Sequence, residues 1–339
     1  MLAEVCIFAF SWVVVYTLSS MIFRPNWNPR GRHCVVTGGS TGLGLSLAVL
    51  LTKKGADVSI IARNQERLDI ALRELEAARQ SPQQTLRAYS FNVDTAAGAT
   101  TSLEAACSAH NGRAPDAVFL VAGGARPGFF VEQTEEMLKQ QFDQNYWAQA
   151  WSAWAAAKKM AREKVRGKIV FVSSFLGYMS MVGYSPYAPG KFALRGLAET
   201  LQSELAMYGI DVHICFPGTI HSPGYEEENK VKPKVTLKIE ETDGGAQPDD
   251  AAKGLLKGVE KGHFHITYDF LGDVFRASSR GSSPGNNFFL DAVYCLIGYV
   301  ALPIWRNSVD RTVRAHAKEH REYLKQKGFF KSNTASSSS

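Results

Sequence analysis

The sequence predicts a doubly wound α/β fold: a parallel sheet of about seven strands with helices on both faces. Three observations carry that prediction. Short apolar runs of strand length alternate with longer stretches of helical period between residues 33 and 267. A glycine-rich turn, Thr37-Gly38-Gly39-Ser40-Thr41-Gly42-Leu43-Gly44, follows the first such run and opens the first helix. The 339 residues suffice for one domain of this kind with appendages at either end.

The elements follow in order. Val5 to Phe23 is almost wholly apolar and long enough to cross a hydrocarbon core. Glu4 precedes it and Arg24, Arg30 and Arg32 follow, so residues 1–24 read as a transmembrane anchor with the remainder in the cytosol. A buried helix or a signal peptide is the competing reading. His33 to Val36 is a short buried strand, and Leu45 to Lys53 a helix. The turn between them suits a phosphate, because glycines let the backbone approach and the helix amino end attracts an anion. That makes the fold Rossmann-type, although the spacing Gly38, Gly42, Gly44 departs from G-x-G-x-x-G. Val58 to Ile61 is the second strand and ends in Ala62-Arg63-Asn64. An NAD site commonly has an acid here; Arg63, with Ser40 and Arg67, instead suits the 2′-phosphate of NADP. A solvent-facing arginine is the alternative.

Helix Gln65 to Gln80 and strand Leu86 to Phe91 follow. Asp94, just beyond, is either an adenine ligand or a helix cap. Ala117 to Val121 is the fourth strand, and Ala122-Gly123-Gly124 leaves room for a flat cofactor. One long helix is predicted from Glu132 to Glu163. It carries Asn145, a poor helix former whose presence suggests a polar task or core satisfaction. Its Trp147, Trp151 and Trp154 stripe is a packing face or a contact for a homo-oligomer. Ile169 to Val172 is the fifth strand, leading to Ser173-Ser174. A helix from near Ser185 runs to Tyr208, Asp211 to Phe216 is the sixth strand, and Thr219 to Asp250 is a polar loop of lid length. Helix Pro248 to Glu260 and strand His263 to Thr267 complete the sheet. No third ligand accompanies His263 and His265, so no metal is expected.

Phe288 to Trp305 is a second apolar stretch, which Asp291 and Pro303 weaken as a span; a re-entrant or in-plane segment is equally consistent. A basic helix, Asn307 to Gln326, follows it. The net charge of +6 is concentrated there: Arg306 to Lys331 holds eight Lys or Arg against three acids. Beside an apolar segment this points to anionic membrane lipids and not to nucleic acid. Five scattered cysteines fit a reduced, cytosol-facing protein. The boundaries are 32–270 for the nucleotide-binding domain, 286–327 for the membrane-associated part and 328–339 for a disordered tail.

The chemistry concentrates at Ser174, Tyr187 and Lys191. Tyr187 and Lys191 are four residues apart, on one helical face. A free phenol has a pKa of about 10, and a nearby ammonium should draw it down toward a working range. Ser174, at a strand tip, can hydrogen-bond a carbonyl beside the phenol. Tyr178 and Tyr184 have no such lysine and read as wall or core.

Thr37 to Gly44 as T-G-x-x-x-G-x-G, then Asn145, Ser174 and Tyr187-x-x-x-Lys191, together resemble the short-chain dehydrogenase/reductases over about residues 32–270. Ala62-Arg63-Asn64, Lys191 to Leu201 and Pro223 to Pro233 resemble the members that act on a long-chain ketosphingoid base. The resemblance implies NADPH-dependent reduction of 3-oxosphinganine at the endoplasmic reticulum membrane. Tyr187 would be the proton donor and Ser174 would polarise the carbonyl. Lys191 would hold the nicotinamide ribose, and Asn145 would fix a proton-supplying water. Cofactor contacts are expected from Gly38, Ser40, Thr41, Gly42, Gly44, Arg63, Arg67, Asp94, Tyr187 and Lys191. Val235, Leu237 and Ile239 are expected to line the alkyl route. The chain departs from the family at Val121-Ala122-Gly123, where N-A-G is usual, and at Pro189-Gly190. A steroid or retinoid reductase, and an NADPH-binding membrane protein without catalysis, are the alternatives.

Overall fold

The computed structural model describes residues 26–241 and 243–330. The anchor expected over 1–24 and the serine tail beyond 330 lie outside the described residues.

Seven parallel strands form one sheet in the order β3-β2-β1-β4-β5-β6-β7. They are β1 His33–Thr37, β2 Asp57–Ala62, β3 Leu86–Ser90, β4 Ala117–Leu120, β5 Lys168–Val172, β6 Asp211–Cys215 and β7 His265–Ile266. The four central strands are buried nearly end to end. That is why each reads as a continuous apolar run and not as an alternation. Helices α1 Gly42–Lys53, α2 Gln65–Ala78, α3 Ala96–Ser108, α4 Glu135–Phe142, α5 Ala148–Arg162, α6 Ala188–Glu204 and α9 Pro248–Glu260 cover the faces. One apolar layer holds Leu47, Leu51, Phe119 and Leu255; the other holds Met160, Phe171, Leu194 and Ile214. The strand order reverses beside β1, so a crevice opens at the carboxyl ends of β1 and β4.

Several elements differ from the sequence expectation. The helix predicted over Glu132–Glu163 is interrupted: a π-helical turn, Asp143–Trp147, separates α4 from α5. The predicted lid loop contains α7 Pro223–Val231 and α8 Lys234–Glu240, the first capped by Ser222 accepting from Tyr225 N. Helices α3 and α10, Phe270–Ser279, have no counterpart in the prediction. Helix α11, Phe288–Ala315, continues through Pro303, and α12, Ala317–Gln326, follows a break at His316. Proline removes one hydrogen bond, but Leu302 and Trp305 on either side pack onto the core and keep the helix running.

Helix α11 is fixed along one side only. Asp291 and Arg276 form a buried ion pair at 2.8 Å. A Cβ on Gly298 would come within 2.8 Å of Ser278, so α10 and α11 cross closely. The other side exposes Phe288, Phe289, Leu296, Tyr299 and Ile304. The helix has a mean hydropathy of 1.8 over its most apolar 18 residues and is long enough to cross a membrane.

Candidate active site

The glycine turn is a close-packed cradle. Gly38 has φ +71°, and a Cβ there would meet the Ala122 backbone nitrogen at 2.8 Å. A Cβ on Gly44 would meet the Gly38 carbonyl oxygen at 2.2 Å. Only glycine lets β1 turn into α1 while lying against the end of β4. Thr41 stands at the N-cap of α1 without a side-chain cap hydrogen bond, so its first-turn N–H groups face the crevice unmet by a side chain.

Strand β5 delivers Ser173 and Ser174. Ser173 donates to the Lys191 carbonyl at 3.0 Å and fixes the first turn of α6 to the sheet. Ser174 accepts from Leu176 N at 3.2 Å, which leaves its proton free, and it lines the same cleft as the Tyr187 phenol, whose pKa its hydroxyl lowers. Helix α6 begins at Ala188, later than predicted; Pro189 falls in its first turn, where donors are free. Tyr187 and Lys191 still share one side: the Lys191 ammonium lies 5.4 Å from the phenol ring centre and donates to Val172 O at 3.1 Å.

The electrostatics differ from the sequence argument. Burial is the largest influence on Tyr187 and, with the charge of Glu228, pushes its pKa above the ordinary value; the Ser174 hydrogen bond pulls the other way. Burial lowers Lys191 to about 7. Desolvation outweighs the ammonium because Lys191 is itself buried and turned to a carbonyl.

Eleven of the twelve expected site residues line one cleft of about 740 Å³: Gly38, Ser40, Thr41, Gly42, Gly44, Arg63, Arg67, Asp94, Ser174, Tyr187 and Lys191. Asn145 lies behind its wall, fully buried in the π turn. Its amide donates to Gly124 O and Gln141 O, both at 2.9 Å, and accepts from Gly124 N at 3.1 Å. The bare α-carbon of Gly123 borders both Asn145 Oδ1 and Lys191 Nζ. Asp94 is not the cap of α3; Thr95 is. Val235, Leu237 and Ile239 do not reach the cleft: Val235 is buried in the fold and Leu237 faces outward. The apolar wall is Phe175, Leu176, Met179 and Met181.

The short chain dehydrogenase family model matches residues 32–232. The chain is a short-chain dehydrogenase. It is 40% identical over 322 residues to the 3-ketodihydrosphingosine reductase of Cryptococcus neoformans, covering 94% of this chain and 96% of that one. It is 35% identical to the 3-ketodihydrosphingosine reductase of Aspergillus fumigatus, with 83% of each chain covered. It is also 35% identical to the 3-dehydrosphinganine reductase of Danio rerio, over 84% of this chain and 85% of that one. A solved short chain dehydrogenase/reductase family protein superposes with a TM-score of 0.55 at 24% identity, covering 68% of this chain and 90% of that one, and shares the fold. The dehydrogenase therefore takes a nicotinamide cofactor, and the cradle and cleft fit one.

Sequence reasoning missed part of this dehydrogenase's site. Tyr184, read as wall or core, donates toward Glu228 at 2.5 Å and Glu240 at 2.9 Å. Lys232 pairs with the same two carboxylates at 3.1 and 2.6 Å. The only sequence signal was the four-residue spacing of Glu228 and Lys232. Gln149 was also missed; it clamps Ala122 O, Val172 O and Val172 N, tying the ends of β4 and β5 together.

Proposed function

We propose that this dehydrogenase reduces 3-oxosphinganine to sphinganine with NADPH. The observation that carries the reading is the convergence of Ser174, Tyr187 and Lys191 on the cleft that also holds the glycine cradle. It is supported by near-full-length similarity to proteins named 3-ketodihydrosphingosine reductase. NADPH is favoured over NADH because β2 ends in Ala62 and not in an acid. The Arg63 and Arg67 side chains line the cleft with no ion-pair partner among the described residues.

The Gly38–Gly44 cradle, Arg63 and Arg67 would hold the cofactor, which when bound would supply a hydride to the C3 carbonyl carbon. The protein's task is the proton and the charge on oxygen. Tyr187 donates its proton to that oxygen, and burial keeps it protonated until then. Ser174 donates a hydrogen bond to the same oxygen as charge develops there. Lys191, poised near neutrality, returns a proton toward the phenol. Asn145 holds the Gly124 turn and presents its oxygen beside Lys191 across bare Gly123.

The alkyl chain leaves through a second groove, of about 610 Å³, lined by Phe129, Phe130, Met181, Val182, Tyr184 and Phe192. Met181 and Tyr184 line both spaces. The carboxyl-terminal helices flank this groove: Arg306 reaches Ser180 O at 3.3 Å, and Phe129 packs on His320 at 4.0 Å. The exposed face of α11 would then rest in the bilayer beside the tail's exit, where about 0.8 kcal/mol per methylene opposes transfer to water. We place the enzyme at the endoplasmic reticulum membrane, catalytic domain in the cytosol, with the tryptophan face of α5 available to a second copy.

The test is NADPH oxidation in detergent micelles with 3-oxosphinganine and with a steroid ketone. Turnover of the first and not the second is expected, and Tyr187→Phe should lower kcat by at least about 1000-fold, with NADPH affinity within a few-fold of wild type. Substantial residual turnover in that variant would refute the catalytic assignment.

A further inference from the structure

Resting on that function, we infer that Glu228 recognises the substrate's C2 ammonium and is the residue that selects a free amino base. The lid places Tyr184, Glu228, Lys232 and Glu240 in one cluster. The Lys232 side chain is fully buried, and those of Glu228 and Glu240 are only 16% and 11% exposed. Two carboxylates share one ammonium, so the cluster holds one negative charge more than it can compensate. Burial opposes the Lys232 charge, but hydrogen bonds and the fields of Glu240 and Glu228 hold it firmly protonated. Tyr184 has a single proton and cannot neutralise the excess. A surplus charge so largely withdrawn from water is costly unless a further cation meets it.

The excess faces the reaction. Glu228 and Glu240 line the catalytic cleft, and the Glu228 charge is felt at the Tyr187 phenol. Among the described residues, none of the other cations lining the cleft forms an ion pair with Glu228 or Glu240. Arg63 follows the end of β2, Arg67 lies in the first turn of α2, Arg126 is on the loop after β4, and Lys191 donates to Val172 O. Glu226, Glu227 and Asp243 add to the negative side, with Glu227 paired to Lys230 and Asp243 taking the Thr219 hydroxyl. Most acids of the cleft wall thus gather on α7 and α8 and just beyond, while Arg63 and Arg67 lie where β2 passes into α2, beside Asp94. In a ketosphingoid base the amino group sits on the carbon next to the reacting carbonyl. Glu228 takes the Tyr184 hydroxyl at 2.5 Å, and the Tyr184 ring centre is 6.0 Å from that of Tyr187, so this carboxylate stands one aromatic ring away from the phenol, on the side where that ammonium would lie with the carbonyl at Tyr187.

The test compares 3-oxosphinganine with its desamino analogue, 1-hydroxyoctadecan-3-one, in the full-length enzyme in micelles, for wild type and Glu228→Gln. The glutamine keeps a hydrogen-bond acceptor for Tyr184 and leaves Lys232 paired with Glu240. Wild type should favour the amine in kcat/KM by about 10- to 100-fold, the scale of a buried charge-assisted contact. In Glu228→Gln that preference should collapse to within about threefold, chiefly through loss of the amine's kcat/KM. Turnover of the desamino analogue reports that the variant is folded. A thermal melt with NADPH serves the same purpose if turnover is low. Equal wild-type rates on the two ketones, or equal losses on both in the variant, would overturn the inference. Absence of wild-type turnover of both ketones would instead overturn the functional reading beneath it.

Discussion

Gly38→Ala tests whether the cradle owes its shape to contact between the glycine turn and the end of β4. The residue has φ +71°, where a Cβ costs about 1–2 kcal/mol. That Cβ would also stand 2.8 Å from Ala122 N, 2.9 Å from Ala122 Cα and 3.0 Å from Val121 C. All three are backbone atoms of the β4 end, so no flexible side chain can give way. Overpacking of this kind adds about 1–3 kcal/mol, for a total of about 2–5 kcal/mol. In a domain of this size that lowers Tm by about 5–15 °C. NADPH affinity should fall as well, because the displaced strand end borders the cofactor's space. Thermal unfolding with and without NADPH reads both effects. Gly196→Ala is the counterpart: no atom lies within 4 Å of its Cβ, in an exposed part of α6. There alanine should stabilise by about 0.5–1 kcal/mol. If the two variants melt alike and bind NADPH alike, close packing is not what forms the cradle.

Other outcomes follow from the site. If Arg63 meets the 2′-phosphate as proposed, Arg63→Ala should raise the KM for NADPH by about 10- to 100-fold, the scale of a charge-assisted contact, and leave that for NADH within about threefold; equal changes would refute the 2′-phosphate assignment. Lys191, lowered by burial to about 7, carries its proton below that pH and loses it above. If Lys191 returns the proton, reductive kcat at saturating NADPH should decline as pH rises through about 7, while Tyr187, shifted upward, stays protonated. A flat kcat between pH 6 and 9 would remove Lys191 from the relay.

Where the fold and site were legible, the cause was local. Parallel strands buried on both faces must be apolar throughout, so β1, β4 and β5 announced themselves. The glycine turn and the Tyr187–Lys191 pair each sit within one turn of chain, and their spacing survives even though α6 starts three residues later than expected. The failures were of two kinds. A π turn inserts one residue without changing composition, so periodicity joined α4 and α5 and hid the device that aims Asn145 at Gly124. Helix α3, which opens with Ala96, Ala97, Gly98, Ala99, Thr100 and Thr101, has too weak an apolar face to be heard. The other failures were long-range. Tyr184 meets Glu240 across 56 residues, and no local pattern marks that contact. The acidity of Tyr187 was misjudged for the same reason: its sign depends on burial and on Glu228, neither of which lies beside it in sequence.

The upward shift of Tyr187 bears on the direction of the reaction. A phenol held protonated is idle as a base but correctly charged as a donor, which suits reduction of a ketone. Two influences raise it: burial, which is fixed, and Glu228, which is not. An ammonium placed on Glu228 cancels the second. The phenol then becomes a stronger acid only when an amino ketone is in the cleft, so recognition of the substrate and readiness of the proton donor are one event. On this argument the alkaline limb for phenol ionisation should lie at lower pH with 3-oxosphinganine than with its desamino analogue. In Glu228→Gln, where the one carboxylate left in the cluster, Glu240, is paired with Lys232, the two limbs should coincide. Limbs that coincide in the wild type as well would show that Glu228 binds without tuning the donor.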